Sequence, residues 1–218
     1  MRRLALLLLA AACAPAPEPD TQAFGLYRAM RACLADPASS GCTLVDRERG
    51  FVVIRDDDPA KPRAWLLVPD VEVTGIEDSR VLVPPVVEFW RYGWQVGEGL
   101  LPGERLALAI NSKGGRTQDL LHIHVSCLAP AVAAALASAT VGSGWATGLT
   151  LGGHAYHARR VAALEPSPFL LLRELPGARE DMAAQSLAVT AAPGGGFLLL
   201  AESATDAEAE DLLDETCR

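Results

Sequence analysis

Apolar and polar positions repeat at two different periods along this chain, and the changes of period mark its elements. Phe24, Tyr27, Met30 and Leu34 recur at helical spacing, which predicts an amphipathic helix over residues 21–35. The runs FVVIR (51–55) and AWLLV (64–68) read as a strand pair joined across the turn-forming segment DDDPAKP. After Pro84 and Pro85, VVEFWRYGWQVG (86–97) suits a helix whose start is set by proline. LALAIN (106–111) is a strand, followed by the glycine-broken loop SKGGRTQ and a second strand, LLHIHVSC (120–127). PAVAAALASA (130–139) is a short helix opened by proline, and AYHARRVAAL fits either period, with strand preferred. PGAREDMAAQ (176–185) reads as helix, and SLAVT and GFLLLAE as a hairpin about APGGG. The tail DAEAEDLLDETC (206–217) reads as an acidic helix or a frayed end. Strands mixed with helices and joined largely by hairpins predict one α+β domain over residues 21–218, an antiparallel sheet with flanking helices.

The first twenty residues stand apart from that domain. Arg2 and Arg3 precede the apolar run Leu4 to Ala12, far short of the roughly 20 residues that span a bilayer as a helix. This is the form of an export signal. Cys13 follows Ala10, Ala11 and Ala12, the arrangement in which bacterial lipoproteins are cleaved and acylated on the cysteine. Ala10 stands where leucine is usual, so simple cleavage nearby and an uncleaved anchor are the alternatives. APAPEPD then reads as a polar, proline-rich tether. Residues 1–20 therefore predict a chain in the cell envelope, facing the periplasm and held at the membrane through its N-terminus.

Charge narrows the partners. Loss of residues 1–12 removes two arginines and moves the net charge from −8 to −10. So acidic a chain is no general binder of nucleic acid or acidic lipid, and any anion must be met by a local basic site. Beyond Cys13 remain Cys33, Cys42, Cys127 and Cys217, an even number that in an exported protein suggests two disulfides with three possible connectivities. Cys33–Cys42 is the local loop, across DPASSG, which leaves Cys127–Cys217; buried free thiols are the alternative. By loop entropy the long bridge would contribute about 4–5 kcal/mol and the short one nearer ~3 kcal/mol.

The chain has four histidines, in two pairs. On a strand, Leu120, His122, His124 and Ser126 share one face, while Leu121, Ile123, Val125 and Cys127 form an apolar face opposite. Two imidazoles therefore sit about 7 Å apart at their α-carbons. The loop just before supplies Lys113 and Arg116, donors from Asn111, Thr117 and Gln118, and two glycines that allow close backbone approach or an anion-binding nest. Beside a two-histidine strand in an acidic protein, this loop points to a phosphate or phosphodiester. The second pair, His154 and His157 with Arg159 and Arg160, closes the same site or is a solvated strand edge. H-x-H can also chelate zinc or copper, but a catalytic metal wants a third ligand, and no helical H-E-x-x-H spacing supplies one.

The block AINSKGGRTQDLLHIHVSC resembles the signature of bacterial CDP-diacylglycerol pyrophosphatases, a branch of the histidine-triad (HIT-like) superfamily. The resemblance continues through GHAYHARRV and SPFLLLRELPGAREDMA, and covers most of the chain from about residue 24. It implies a HIT-like α+β fold and hydrolysis of CDP-diacylglycerol to CMP and phosphatidate, without a cofactor or an obligatory metal. In the superfamily pattern histidine recurs three times and the middle one is the nucleophile, which places that role on His122 and a supporting role on His124. Leu120 departs from the pattern by standing in the first position. Asn111 occupies the polar position that opens the phosphate loop in that pattern, Arg116, Thr117 and Gln118 fall where its phosphate donors lie, and Lys113 and Ser126 are further candidate donors. A hydrolase of soluble nucleotide pyrophosphates and a non-catalytic envelope lipoprotein that binds nucleotide or lipid are the rival readings. The aromatic segment FWRYGW (89–94) is either a diacylglycerol surface or core.

Overall fold

The computed structural model describes residues 25–218. The expected export signal, Cys13, the tether and Phe24 lie outside them. Helix α1 (Gly25–Ala35) occupies the described part of the first predicted helix, with Leu26, Met30 and Cys33 as its buried face. Strands β1 (Cys42–Asp46), β2 (Phe51–Arg55) and β3 (Trp65–Pro69) form an antiparallel meander. A short 3-10 turn, Val86–Glu88, leads into α2 (Phe89–Leu100). Strands β4 (Leu106–Ile110) and β5 (Ile123–Leu128) follow, then α3 (Pro130–Ser138), β6 (Ala146–Leu151), β7 (His154–Val161), α4 (Pro168–Leu172), β8 (Gln185–Ala191) and β9 (Phe197–Ser203). The strands form one sheet in the order β1-β2-β3-β5-β4-β8-β9-β7-β6, and a short β10 (Leu213–Asp214) pairs with β5. Every pairing is antiparallel, so the α+β expectation holds.

Three apolar clusters hold the sheet. On one face α2 and α4 pack Phe89, Trp90, Phe169 and Leu172 against Phe51, Leu67, Leu108 and Ile123. On the other, α3 lays Val132 and Leu136 over Ala107, Ala109 and Leu200. A third cluster sets Leu26, Met30 and Cys33 of α1 against Val52, Ile54, Val68 and Leu120. Phe89 and Trp90 are fully buried, so the aromatic segment is core there and not a lipid surface. Gly93 and Gly97 let α2 approach β4 closely: a Cβ on Gly97 would lie 2.6 Å from Leu106 Cδ1.

Some expectations fail for identifiable reasons. PGAREDMAAQ is not helical; Gly177 turns the chain at φ 84°, and only the 3-10 turn Met182–Ala184 forms, capped by the Asp181 side chain. The helix of that region is the preceding apolar block, Pro168–Leu172, whose Ser167 hydroxyl accepts from Phe169 N. β1 and β6 were not expected, because neither shows clean alternation and both carry a register irregularity. The tail is neither free nor a full helix. Its 3-10 turn, Ala209–Leu212, and β10 lie against the sheet, with Ala209, Leu212 and Leu213 buried.

Both expected disulfides are present, Cys33–Cys42 and Cys127–Cys217. The second ties the tail to β5. The glycines of the 112–118 loop complete the attachment: a Cβ on Gly114 would meet the Thr205 carbonyl oxygen at 2.2 Å, and one on Gly115 the Ala207 oxygen at 2.5 Å. Backbone lies on backbone, so neither side can yield. Gly114→Ala is therefore expected to destabilise the protein by about 2–3 kcal/mol. Gly99→Ala, on the exposed side of α2 with open space around it, should stabilise by about 0.5–1 kcal/mol. Denaturant melts of the two variants check the contrast, and equal effects would remove the packing account.

Candidate active site

β5 is central because β3, β4 and β10 all pair with it. The start of this strand and the residue just before it carry the histidines. Leu121, Ile123 and Val125 enter the core under α2, so the alternate residues are driven to the opposite face. His122 and His124 emerge there with ring centroids 4.9 Å apart and planes at 66°. Leu120 also turns away from the α2 core, but into the cluster beneath α1, where it is fully packed. In this fold the position of the missing histidine is a core position.

His122 lies just before the strand proper, and its Nδ1 stands 2.7 Å from the carbonyl oxygen of Leu120. A carbonyl only accepts, so Nδ1 carries the proton, and in the neutral ring the lone pair is on Nε2. Burial, with the neighbouring His124 adding to it, pushes the ring's pKa down from 6.5 to about 3. The imidazole is thus neutral at ordinary pH, its tautomer held by the residue that interrupts the triad.

His124 meets a residue the sequence did not single out. Glu210, in the tail's 3-10 turn, places Oε2 2.7 Å from His124 Nε2. The ring N–H is directed off that oxygen, so the contact is close without being a straight hydrogen bond. Asn111 holds the glutamate in two ways: Nδ2 donates to Oε2 at 2.8 Å, and Oδ1 accepts from Glu210 N at 3.1 Å. Lys61 lies 3.2 Å from Oε1 and 3.5 Å from Glu215. Burial alone would raise the Glu210 pKa. His124, Lys61 and Asn111 overcome this and hold it well below the usual carboxylate range.

These residues open onto a cleft of about 1040 Å³. Leu26 and Ala29 of α1 form one wall, the 55–61 turn another, and Asn111, Thr117, Gln118, His122, His124, Glu208 and Glu210 line the rest. Gln118 accepts from Leu26 N at 2.9 Å through Oε1, which leaves its amide NH2 as the donor group. Asn111, Thr117, Gln118, His122 and His124 are therefore gathered as the sequence suggested.

The other expected site residues are placed differently. The Arg116 side chain is buried and forks onto Glu77 at 2.8 and 2.7 Å, with Asp119 at 3.0 Å, so its charge is already matched. It lies beside the cleft floor and does not line the cleft. The expected anion nest is absent from the 113–116 backbone: the amides of Lys113, Gly114, Gly115 and Arg116 donate to Ala183 O, Thr205 O, Ser112 Oγ and Ser112 O. Lys113 is exposed outside the cleft. Ser126 shares the histidine face but hydrogen-bonds to the carbonyls of Arg63 and Asp214 beneath β10. His154 and Arg159 sit on β7, four strands away, paired with Glu202 and Glu174. Among the described residues, no three His, Cys, Asp or Glu side chains converge as a metal-ligand set. Glu210 and Lys61 are the functional-site residues that sequence reasoning missed; the dense acidic run beside Cys217 was the one available signal.

The model of the CDP-diacylglycerol pyrophosphatase family matches residues 26–218. The chain belongs to that family. A relative from Yersinia pestis described as CDP-diacylglycerol pyrophosphatase is 41% identical over 198 residues, covering 81% of this chain and 75% of the relative. Among solved structures, yeast Ap4A phosphorylase in complex with Ap4A aligns with TM-score 0.49 and 10% identity, over 82% of this chain and 65% of that one. Its complex with AMP gives 0.45 and 14%, over 77% and 62%. The chain thus spans less than two thirds of the yeast enzyme's length.

The neutral, buried state of His122 has a consequence for stability. Its folded pKa lies below its unfolded one, so its contribution is complete above about pH 6.5 and is lost as pH falls toward about 3. Acidification from pH 7 to 4.5 should cost the wild type about 2–3 kcal/mol more than His122→Gln. Urea titrations at the two pH values test this, and parallel losses would contradict it.

Proposed function

We propose that this protein hydrolyses the pyrophosphate of CDP-diacylglycerol to CMP and phosphatidate through a covalent cytidylyl-histidine at His122. The observation that carries this reading is the hydrogen bond from His122 Nδ1 to Leu120 O, which leaves a neutral ring with its lone pair on Nε2 in a chain of this family. Nε2 attacks the cytidylyl phosphorus in line. As the N–P bond forms, the P–O bond to phosphatidate breaks and the electron pair leaves with that oxygen. Phosphatidate departs as a phosphomonoester and needs little acid assistance. Water then attacks the same phosphorus, the P–N pair returns to the ring, and CMP is released.

Phosphoryl transfer asks the protein mainly for positioning and charge stabilisation. The Gln118 amide and the Thr117 hydroxyl, both lining the cleft, are the donors assigned to the phosphoryl oxygens, and Lys61 is the cleft cation nearest the histidine pair's carboxylate. The chain works at the periplasmic side of the envelope, and an acylated Cys13 holds it at the bilayer that contains the substrate. That anchor is proposed from the sequence.

His122→Ala should lose all turnover while keeping its fold, and labelled CDP-diacylglycerol should leave acid-labile cytidylate on the wild type alone. Full activity in the variant would sink the nucleophile assignment. Faster turnover of a water-soluble CDP-alcohol than of CDP-diacylglycerol in mixed micelles would move the substrate to soluble pyrophosphates.

A further inference from the structure

A carboxylate beside histidines that handle phosphate is at first sight misplaced, since it repels the substrate. Glu210 is nevertheless held where it is by Asn111 and Lys61, by a turn clamped to the glycine loop, and by β10 and Cys217. Its oxygen lies 2.7 Å from His124 Nε2, and because two lone pairs at that distance would repel, that nitrogen is the one that bears the proton, although its N–H is not aligned on the oxygen. His124 therefore carries its proton on Nε2, and Nδ1 is its acceptor nitrogen. Contacts of this kind are often poorly aligned before substrate binds, and an off-line N–H does not disqualify the pair.

The two half-reactions need different things. Formation of cytidylyl-His122 needs a neutral nucleophile, which Leu120 O already secures, and a leaving group that requires little help. Its hydrolysis needs water to lose a proton as it attacks, and His122 is then the leaving group and no longer a base. We propose that His124 is the general base of the second half-reaction and that Glu210 is the positioning residue that sets its tautomer and stabilises the imidazolium it becomes. The inference rests on the covalent reading above.

In this step the water oxygen bonds to phosphorus and its proton passes to His124 Nδ1. The P–N electron pair returns to His122 Nε2, and the Nε2 proton of His124 stays on that nitrogen beside Glu210. The imidazolium later releases its proton to solvent. The arrangement follows the logic by which a carboxylate orients a histidine base in acyl transfer. Here the carboxylate comes from the tail turn Ala209–Leu212, because position 120 is packed in the core beneath α1.

The test is a single-turnover experiment with excess enzyme, in which phosphatidate release and CMP release are timed separately. Glu210→Gln should release phosphatidate at close to the wild-type rate and CMP about 100-fold more slowly, with acid-labile cytidylate accumulating on the protein. Adding Glu210→Gln to His124→Asn should slow CMP release no further, since the glutamate acts through the histidine. Glu210→Asp, which retains the charge, should recover part of the rate and carries the same comparison if the amide variant does not fold. Equal slowing of both releases, or no slowing of either, overturns the assignment while the covalent reading stands. Absence of cytidylate from wild type and variant alike overturns both.

Discussion

The 2.7 Å hydrogen bond from His122 Nδ1 to the Leu120 carbonyl is the contact on which the site's chemistry turns. It is a bond between residues two apart, made where the chain is about to enter β5, and it assigns the ring's proton without any other side chain. A histidine at position 120 would have to lie beneath α1, among Leu26, Met30, Val52 and Val68. Leucine there costs nothing polar and lets the backbone do the orienting. Position 120 thus gives the site its carbonyl and the core its side chain.

Much of this could be read from the chain because it is local. Alternation on LLHIHVSC needs only a period of two, and it sorted Leu121, Ile123 and Val125 from His122 and His124 as the sheet does. The APGGG hairpin and the two disulfides are local or arithmetic in the same sense. Glu210 was not legible, because its role comes from partners 99 and 149 residues away in sequence. The loop NSKGGRTQ shows the converse limit. Glycines that admit a phosphate and glycines that admit another strand of backbone look identical in sequence, and Thr205 and Ala207 decide which they are.

The same distinction applies to charge. Arg116 looks like a phosphate ligand by composition, yet Glu77 and Asp119 already match it, and it acts on His122 only through its field. The cations that count near the histidines are few, and Lys61 is itself shared between two glutamates. The cleft is therefore less a basic patch than a polar frame in which Glu210, Lys61 and Asn111 hold one another in place.

The cleft is also built from both ends of the described chain. Its wall begins at Gly25, its floor is drawn from residues 111–124, and Glu208 and Glu210 close it close to the last residue. Segments separated by most of the described chain must therefore be brought together before the site can exist. The histidines of the β5 segment and the glutamate that faces them lie far apart in sequence, so their meeting is a product of tertiary folding and is lost wherever the tail comes away from β5.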